Sequence, residues 1–565
     1  MNPKGLRTHD NFIYRKYNGF VMQLGISKSV SKKQKESALI MRKQTKIAAV
    51  VSAAALLALG ASMTSFAASK GTWMMVDGEW YCYDKNGDAY ENTFCSSNGK
   101  EYYVGDDGQL VRSAWVEYDN DKYFVNSSGA KITNDWRLTT PFDDDSADEE
   151  WYYFQSTGKM ATSKKVTYKG KTYFFDADGK MLTGWVTATG TQVANEENTI
   201  DKDDTYYCGE DGARLEKAWI YTTEPTAEDS EADADEHWYY LKSNGNPVVS
   251  KKQNNLKGQS YIFDDQGVML SGWVANTSTA SDATKYPNYV EIDGEYDEKD
   301  LGEFTTVYYC GNEEDGHVKK NKWIKTWQPK NTYDEDEDVD KFWYWIEKDG
   351  KVYIPSDSDA TATKYKLADG KMEDKGQKQI TKKKVNSKDY FFNEDGEMMS
   401  QFMEIVDASA IKNAKAFESA GMYYLGGDDD GSMKTGSQTV KDDNGDSYKF
   451  YFGTRTATKT LEVKGVGITG NKSSKLYYKG LLLTADDYKY QSATLPNGKT
   501  YIVNKNGNIQ HSSIKYTEDG DTLIDARAAK FADTKDVADA DKYSLIDPDA
   551  IDDAHPIDIY SVILK

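Results

Sequence analysis

Cysteine, proline, histidine and long apolar runs are all scarce in this chain of 565 residues, which has 4 Cys, 10 Pro and 5 His. So few cysteines exclude a disulfide-dense scaffold. The histidines, His9, His237, His317, His511 and His555, are scattered without the spacing of a metal site or a nucleophile triad. No metal or cofactor is therefore expected. The longest apolar stretch, Ile47 to Leu59, is 13 residues, short of the roughly 20 that span a bilayer. Positive charge is also in deficit: 92 acidic against 70 basic side chains leave a net charge of −22. Phosphates would be repelled, which argues against nucleic acid as a partner. What the chain has instead is 41 Tyr, 13 Trp and 19 Phe. Acidic disordered chains lack aromatics, so here aromatic rings are expected to supply the buried surface while many keep a polar tip at the edge.

The first 67 residues differ from the rest, with 11 Lys and Arg against 2 acidic groups. Met41-Arg42-Lys43-Gln44-Thr45-Lys46, the Ala-rich run and Ser65-Phe66-Ala67 read as a secretory signal, residues 41–67, cleaved after Ala67. Residues 1–40 read as an unstructured upstream extension. The mature protein is expected to be exported, with no membrane span.

From Trp73 onward the chain repeats itself. Tyr206-Tyr207-Cys208-Gly209-Glu210-Asp211-Gly212 with Trp219 matches Tyr123-Phe124-Val125-Asn126-Ser127-Ser128-Gly129 with Trp136, and Gly to Trp is 7 residues in both. Gly108 to Trp115 repeats that spacing, and Gly179 to Trp185 and Gly267 to Trp273 shorten it to 6. Each unit reads as a β-hairpin: an aromatic strand, an Asp-x-x-Gly turn and a second strand ending in Trp. A longer period lies on top, because Trp136, Trp219 and Trp323 are equivalent, 83 and 104 residues apart, with three hairpins between each pair. Lone hairpins are marginal in water, so stability must come from stacking on neighbours. The fold class expected is all-β, a repetitive β-hairpin solenoid with three hairpins per superhelical turn. It should occupy 72–403, continue as degenerate repeats over 404–515, and end in an acidic cap or tail over 516–565.

Trp73-Met74-Met75-Val76-Asp77-Gly78-Glu79-Trp80-Tyr81 and Gly179-Lys180-Met181-Leu182-Thr183-Gly184-Trp185-Val186 resemble the two halves of the choline-binding, or cell-wall-binding, repeat, GWxxxxGxWYYxxxxGxMxxGW. Glucan-binding repeats of streptococcal glucosyltransferases and receptor-binding repeats of clostridial toxins are similar too. The resemblance implies aromatic cages between successive hairpins, built from the Trp of GW, the first Trp of WYY and an aromatic of the next hairpin. The GW position falls on Trp73, Trp115, Trp136, Trp185, Trp219, Trp273 and Trp323, and the WYY position on Trp80, Trp151, Trp238 and Trp343. These are the candidate ligand-binding residues. A quaternary ammonium has no N–H to donate, so it is held by ring faces and desolvation, at roughly 0.5–2 kcal/mol per contact.

Several units depart from the pattern. Lys122, Thr172 and Ser260 stand where the WYY Trp is expected, and Phe402 replaces a GW Trp. Acidic insertions, Asp143 to Glu150, Glu224 to Glu236 and Asp334 to Asp340, push the paired tryptophans 15, 19 and 20 residues apart, leaving their cages either rebuilt or abolished. Without the Gly-centred spacing of a calcium loop they read as solvated. Tyr153, Phe174 and Tyr240 are expected in the core, and Cys208 and Cys310 as buried apolar groups; Cys82 and Cys95 flank one hairpin where a bridge is open. Helix is expected only at Ala408 to Ala420 and near Asp525 to Asp533. Glycosidase chemistry needs a rigid catalytic domain, for which the repeats leave no uninterrupted stretch. The chain is thus expected to be a secreted, non-catalytic Gram-positive surface protein. It would attach by multivalency to choline-bearing teichoic acid or to a cell-wall or extracellular glycan. An adhesin or glucan-binding protein that stacks sugars, and a spacer without a small ligand, are the alternatives.

Overall fold

The computed structural model describes residues 71–190, 203–224, 235–277, 288–292, 304, 306–328, 340–356, 366–367, 380–405, 421–442, 444–455, 462–486, 488–533, 535 and 537–559. The described residues are all-β apart from two short 3₁₀ turns, Asp539–Asp541 and Pro548–Ala550. They divide into two compact units, one of residues 1–249 with 266–268 and one of 250–265 with 269–565.

The repeating element is a two-stranded antiparallel hairpin, but its phase differs from the expected one. The Trp-bearing strand comes first and pairs with the aromatic strand that follows it, Thr72–Val76 with Glu79–Tyr83 and Ala114–Tyr118 with Asp121–Val125, and hairpins without a Trp, such as Lys164–Tyr168 with Lys171–Phe175, share this order. The strands meet at two-residue turns with successive positive φ, such as Asp77 (53°) and Gly78 (94°) or Lys169 (47°) and Gly170 (81°). Such turns match the right-handed strand twist and so close hairpins. The Asp-x-x-Gly turn follows the second strand. It folds the chain back for a short bridge, Phe175 to Met181 for example, while Met181 N–H reaches the Trp151 carbonyl of an earlier hairpin at 2.9 Å. There Asp176 Oδ1 accepts the Lys180 N–H at 2.8 Å. Gly179 sits at φ 80°, a backbone that favours glycine, and a Cβ there would lie 2.6 Å from Met160 Sδ and displace that side chain.

Register is preserved across the acidic insertions because they enter at hairpin tips. Asp135–Thr139 still pairs with Glu150–Phe154, Ala218–Thr223 with Glu236–Leu241, and Lys322–Trp327 with Lys341–Ile346. Strand side chains alternate with a period of two, and only an in-register pairing keeps all the rings on the core face. The core itself is a series of small clusters, one per junction, such as Phe124, Tyr152, Phe154 and Met160 in the first unit and Trp345, Val385, Tyr390, Phe392 and Met398 in the second.

Near the C-terminus the hairpins merge into wider sheets. Five strands between Gly436 and Leu482 join into one, and Tyr490–Thr494, Thr500–Asn504 and Ile509–Gln510 form another. Lys515–Glu518, Asp521–Asp525 and Asp552–Asp553 form a third, and Ile557 and Ile559 pack on the cluster of Leu476, Tyr501 and Val503. The helix expected near Asp525 to Asp533 is absent. Asp525 ends a strand and its carboxylate accepts both the backbone and the guanidinium N–H of Arg527, a local bond that competes with helix. The helix expected at 408–420 lies outside the described residues.

Candidate functional site

Hairpin environments recur every third hairpin, and this divides the tryptophans into two kinds. Trp115, Trp185 and Trp273 form the first kind. Their indole N–H groups donate to backbone carbonyls of the next hairpin, at Thr140 (2.9 Å), Thr223 (3.1 Å) and Trp327 (3.0 Å). Each ring also stands edge-on to a buried tyrosine, Tyr152 at 4.9 Å, Tyr239 at 5.0 Å and Tyr344 at 4.8 Å between centroids. Their polar atoms are satisfied, with Trp185 and Trp273 buried and Trp115 half-buried, so these indoles pack as core. Phe402, which pairs with Tyr424 at 4.5 Å, completes the series without a polar tip. The tyrosines pay differently for burial. Tyr152 OH has no hydrogen-bond partner among the described residues, and desolvation pushes its pKa up to about 12. Tyr344 OH instead donates to Glu397 at 3.2 Å.

The second kind comprises the Trp pairs on the following hairpins. In the first unit Trp136 and Trp151 are 15 residues apart in sequence, yet their rings stand 6.3 Å apart and nearly perpendicular, at 84°. Tyr168 of the next hairpin closes a third side, 6.0 Å from Trp136 and at 81° to it. Behind Trp136 lie Tyr153, Tyr173 and Phe175, which fix its orientation. Trp136, Trp151 and Tyr168 all remain half-exposed. Leu138 lies opposite Trp151 in the strand register. Lys169 stands 4.8 Å over the Tyr168 ring from the hairpin turn. Trp136 thus has Trp151 and Tyr168 standing nearly perpendicular to it, all three partly exposed, a grouping of ring faces suited to an apolar or cationic group.

Trp219 and Trp238 repeat the geometry at 6.2 Å and 83°, with Tyr221 opposite Trp238 and 5.1 Å from it. Tyr221 is one of the most exposed large side chains in the described residues, at 51%. In the second unit Trp323 packs on Trp345, Tyr390 and Phe392, and the position matching Tyr168 holds buried Val385. Trp343 there is tied down: its indole N–H donates to Asp429 Oδ1 at 3.0 Å, and Lys325, its cross-strand partner, donates to the same oxygen at 2.7 Å. These two bonds hold the Asp429 carboxyl below the ordinary aspartate value. At the N-terminal end Trp73 is buried with Cys82, Cys95, Val104 and Leu110, and its indole N–H finds no acceptor among the described residues. Trp80 packs partly against that cluster.

The tryptophans expected at cages are thus split. Trp73, Trp185 and Trp273 are buried, and Trp115 is half-buried with its N–H bonded; Trp80, Trp136, Trp151, Trp219, Trp238, Trp323 and Trp343 keep part of a ring open. Tyr153 and Phe174 are core, whereas Tyr240 is only partly buried. Tyr168, Lys325 and Asp429 were not singled out from the sequence, and neither were Trp327 and Trp345. For Tyr168 the signal was an aromatic just before a Lys-Gly turn; for Lys325 it was the residue two after a GW-type Trp, where Met75, Leu138 and Tyr221 stand in other units. All four cysteines are buried and none forms a disulfide, and Cys82 and Cys95 share one core. Burial pushes the Cys208 thiol up to about 12 and that of Cys310 up as well, which leaves both inert near neutrality. No helix among the described residues is long and apolar enough to cross a membrane.

The strand registers and the junction aromatics define a β-hairpin repeat protein. Parts of it match family models of such repeats: a choline-binding repeat at residues 146–185, and a putative cell wall binding repeat at 113–131, 233–246 and 383–398. Among similar proteins, Glucosyltransferase-S of Streptococcus mutans is 32% identical over 202 residues, covering 35% of this chain and 11% of that one. Glucosyltransferase-I of Streptococcus downei is 23% identical over 437 residues, covering 64% of this chain and 25% of the enzyme. The chain therefore spans between about a tenth and a quarter of these curated relatives. Among solved structures, choline binding protein F of Streptococcus pneumoniae is 17% identical, covering 74% of this chain and 98% of that one, with a TM-score of 0.25.

Proposed function

We propose that this chain is a secreted, non-catalytic surface protein that attaches to choline-bearing wall polymers through a small number of aromatic cups. The observation that carries the reading is the grouping of half-exposed Trp151 and Tyr168 around half-exposed Trp136, 6.3 and 6.0 Å from it and nearly perpendicular to it. A trimethylammonium group is the ligand such a cup suits, because it is weakly hydrated, donates no N–H bond and gains from each ring face. The protein's acidity adds long-range attraction for a cation. Single cups of this kind are weak, and retention on a wall would come from linking several to one polymer, which raises avidity by about 10²–10⁴. Residues 516–565 are then a cap on the last repeats rather than a further binding element.

Excess choline should release the protein from choline-bearing walls and quench or shift its tryptophan emission, with the effect reduced by Trp136→Ala or Trp151→Ala. Release by no concentration of choline removes choline as the ligand. The extent of the match to glucosyltransferases, 202 residues at 32% identity, favours a second reading in which the same faces stack on glucan. A glycan array with choline as competitor separates the two: binding to α-glucan that choline leaves unaffected selects the second.

A further inference from the structure

The four WYY-type tryptophans face different residues across their hairpins: Trp80 faces Met75, Trp151 faces Leu138, Trp238 faces Tyr221 and Trp343 faces Lys325. The first three partners are apolar or aromatic and extend the ring surface. The fourth is a cation. Its ammonium lies 5.9 Å from the centre of the Trp343 ring and is fixed there by Asp429, whose Oδ1 also takes the indole N–H. Asp429 comes from a loop 104 residues beyond Lys325 and 86 beyond Trp343. The neighbouring acidic groups of that loop are engaged elsewhere: Asp428 with Ser400 and Gln401, Asp430 with Ser432 and Lys434.

We propose that Lys325 and Asp429 close the Trp323–Trp343 pair to cationic ligands, turning a binding cup into an internal staple between distant repeats. The inference rests on the aromatic-cup reading above. A ring whose face already has an ammonium nearby repels a second cation, and a ligand entering the pair must also break the shared Asp429 contact. Val385 in place of Tyr168 removes the third aromatic wall and acts in the same direction. Lys169, the cation nearest the first-unit cup, lies on a hairpin turn in full solvent, and no carboxylate pairs with it among the described residues. Lys169 bonds only the Tyr168 side chain beside it, whereas Lys325 is held by a carboxylate from a distant loop.

The test uses the full chain labelled with 5-fluorotryptophan, its ¹⁹F lines assigned through Trp151→Phe and Trp343→Phe, and titrated with choline chloride against matched sodium chloride. In the wild type the Trp151 line should move and saturate while the Trp343 line stays fixed. In Lys325→Leu, which copies the residue at 138, the Trp343 line should move over the same choline range, and in Lys325→Arg it should not. Both substitutions are at an exposed position, and unchanged remaining ¹⁹F lines report that the fold is kept. A Trp343 line that responds equally in wild type and Lys325→Leu, or in neither, overturns the inference. A Trp151 line that ignores choline counts against the cup reading instead, so the two failures are read from different resonances.

Discussion

Trp136 with Trp151 in one unit and Trp323 with Trp343 in the other occupy the same register of the same kind of hairpin, yet they end in different states. Around the first pair the cross-strand partner is Leu138 and the next hairpin offers Tyr168. Around the second the partner is Lys325, the next hairpin offers Val385, and Asp429 clamps the indole. A hairpin repeat thus fixes where aromatic rings go but not whether they are available. On our proposal, availability is decided by one residue opposite the ring and one on the neighbouring hairpin. The indoles of the other kind, Trp115, Trp185 and Trp273, mark the opposite limit, with the N–H satisfied by backbone.

Truncation should separate these kinds most strongly. Trp185→Ala removes a buried indole with its hydrogen bond to Thr223, and is expected to cost about 3–5 kcal/mol in chemical denaturation of the first unit, against less than about 1 kcal/mol for half-exposed Trp151→Ala. Equal losses would erase the distinction between core and cup. Gly179→Ala comes next: with φ at 80° and Met160 Sδ 2.6 Å from the new Cβ, a destabilisation of about 1–3 kcal/mol is expected, whereas Gly170→Ala, also at positive φ but with open space around it, should lose less. Midpoint shifts of the two variants give the ratio.

The smallest effect concerns pH. The carboxyl of Asp429 is depressed in the folded chain by its bonds to Lys325 and Trp343. The clamp is therefore fully present above the unfolded aspartate value of about 3.9 and is lost as pH falls through the lower folded value. The ¹⁹F line of Trp343 should stay fixed from pH 8 to about 4 and move below that, while in Asp429→Asn it should be insensitive over the whole range. Movement of the wild-type line at neutral pH would place its titration on another group.

Much of the fold was legible because aromatic spacing and turn residues act locally. The Gly-to-Trp intervals located the hairpins, and the recurrence of Trp136, Trp219 and Trp323 anticipated the alternation of environments. The phase of the hairpin was misread because Asp-x-x-Gly is a strong turn signal, while the true hairpin turns, such as Lys169-Gly170 and Asn386-Ser387, are less distinctive. Enclosure of Trp115, Trp185 and Trp273 was not legible, since its acceptors are main-chain carbonyls that leave no mark in side-chain identity. The acidic insertions had left the cages open to either outcome. Because they enter at hairpin tips, Trp136 and Trp151 meet despite the inserted residues. Lys325 was visible in the sequence, but its meaning depends on Asp429, which only the fold brings near.

The most direct test of the central claim is an isothermal titration of choline into the full chain, wild type beside Trp151→Ala. The account predicts saturable heat in the wild type and the loss of one site in the variant with the remaining sites unchanged. Superimposable isotherms, or no heat in either protein, would contradict it.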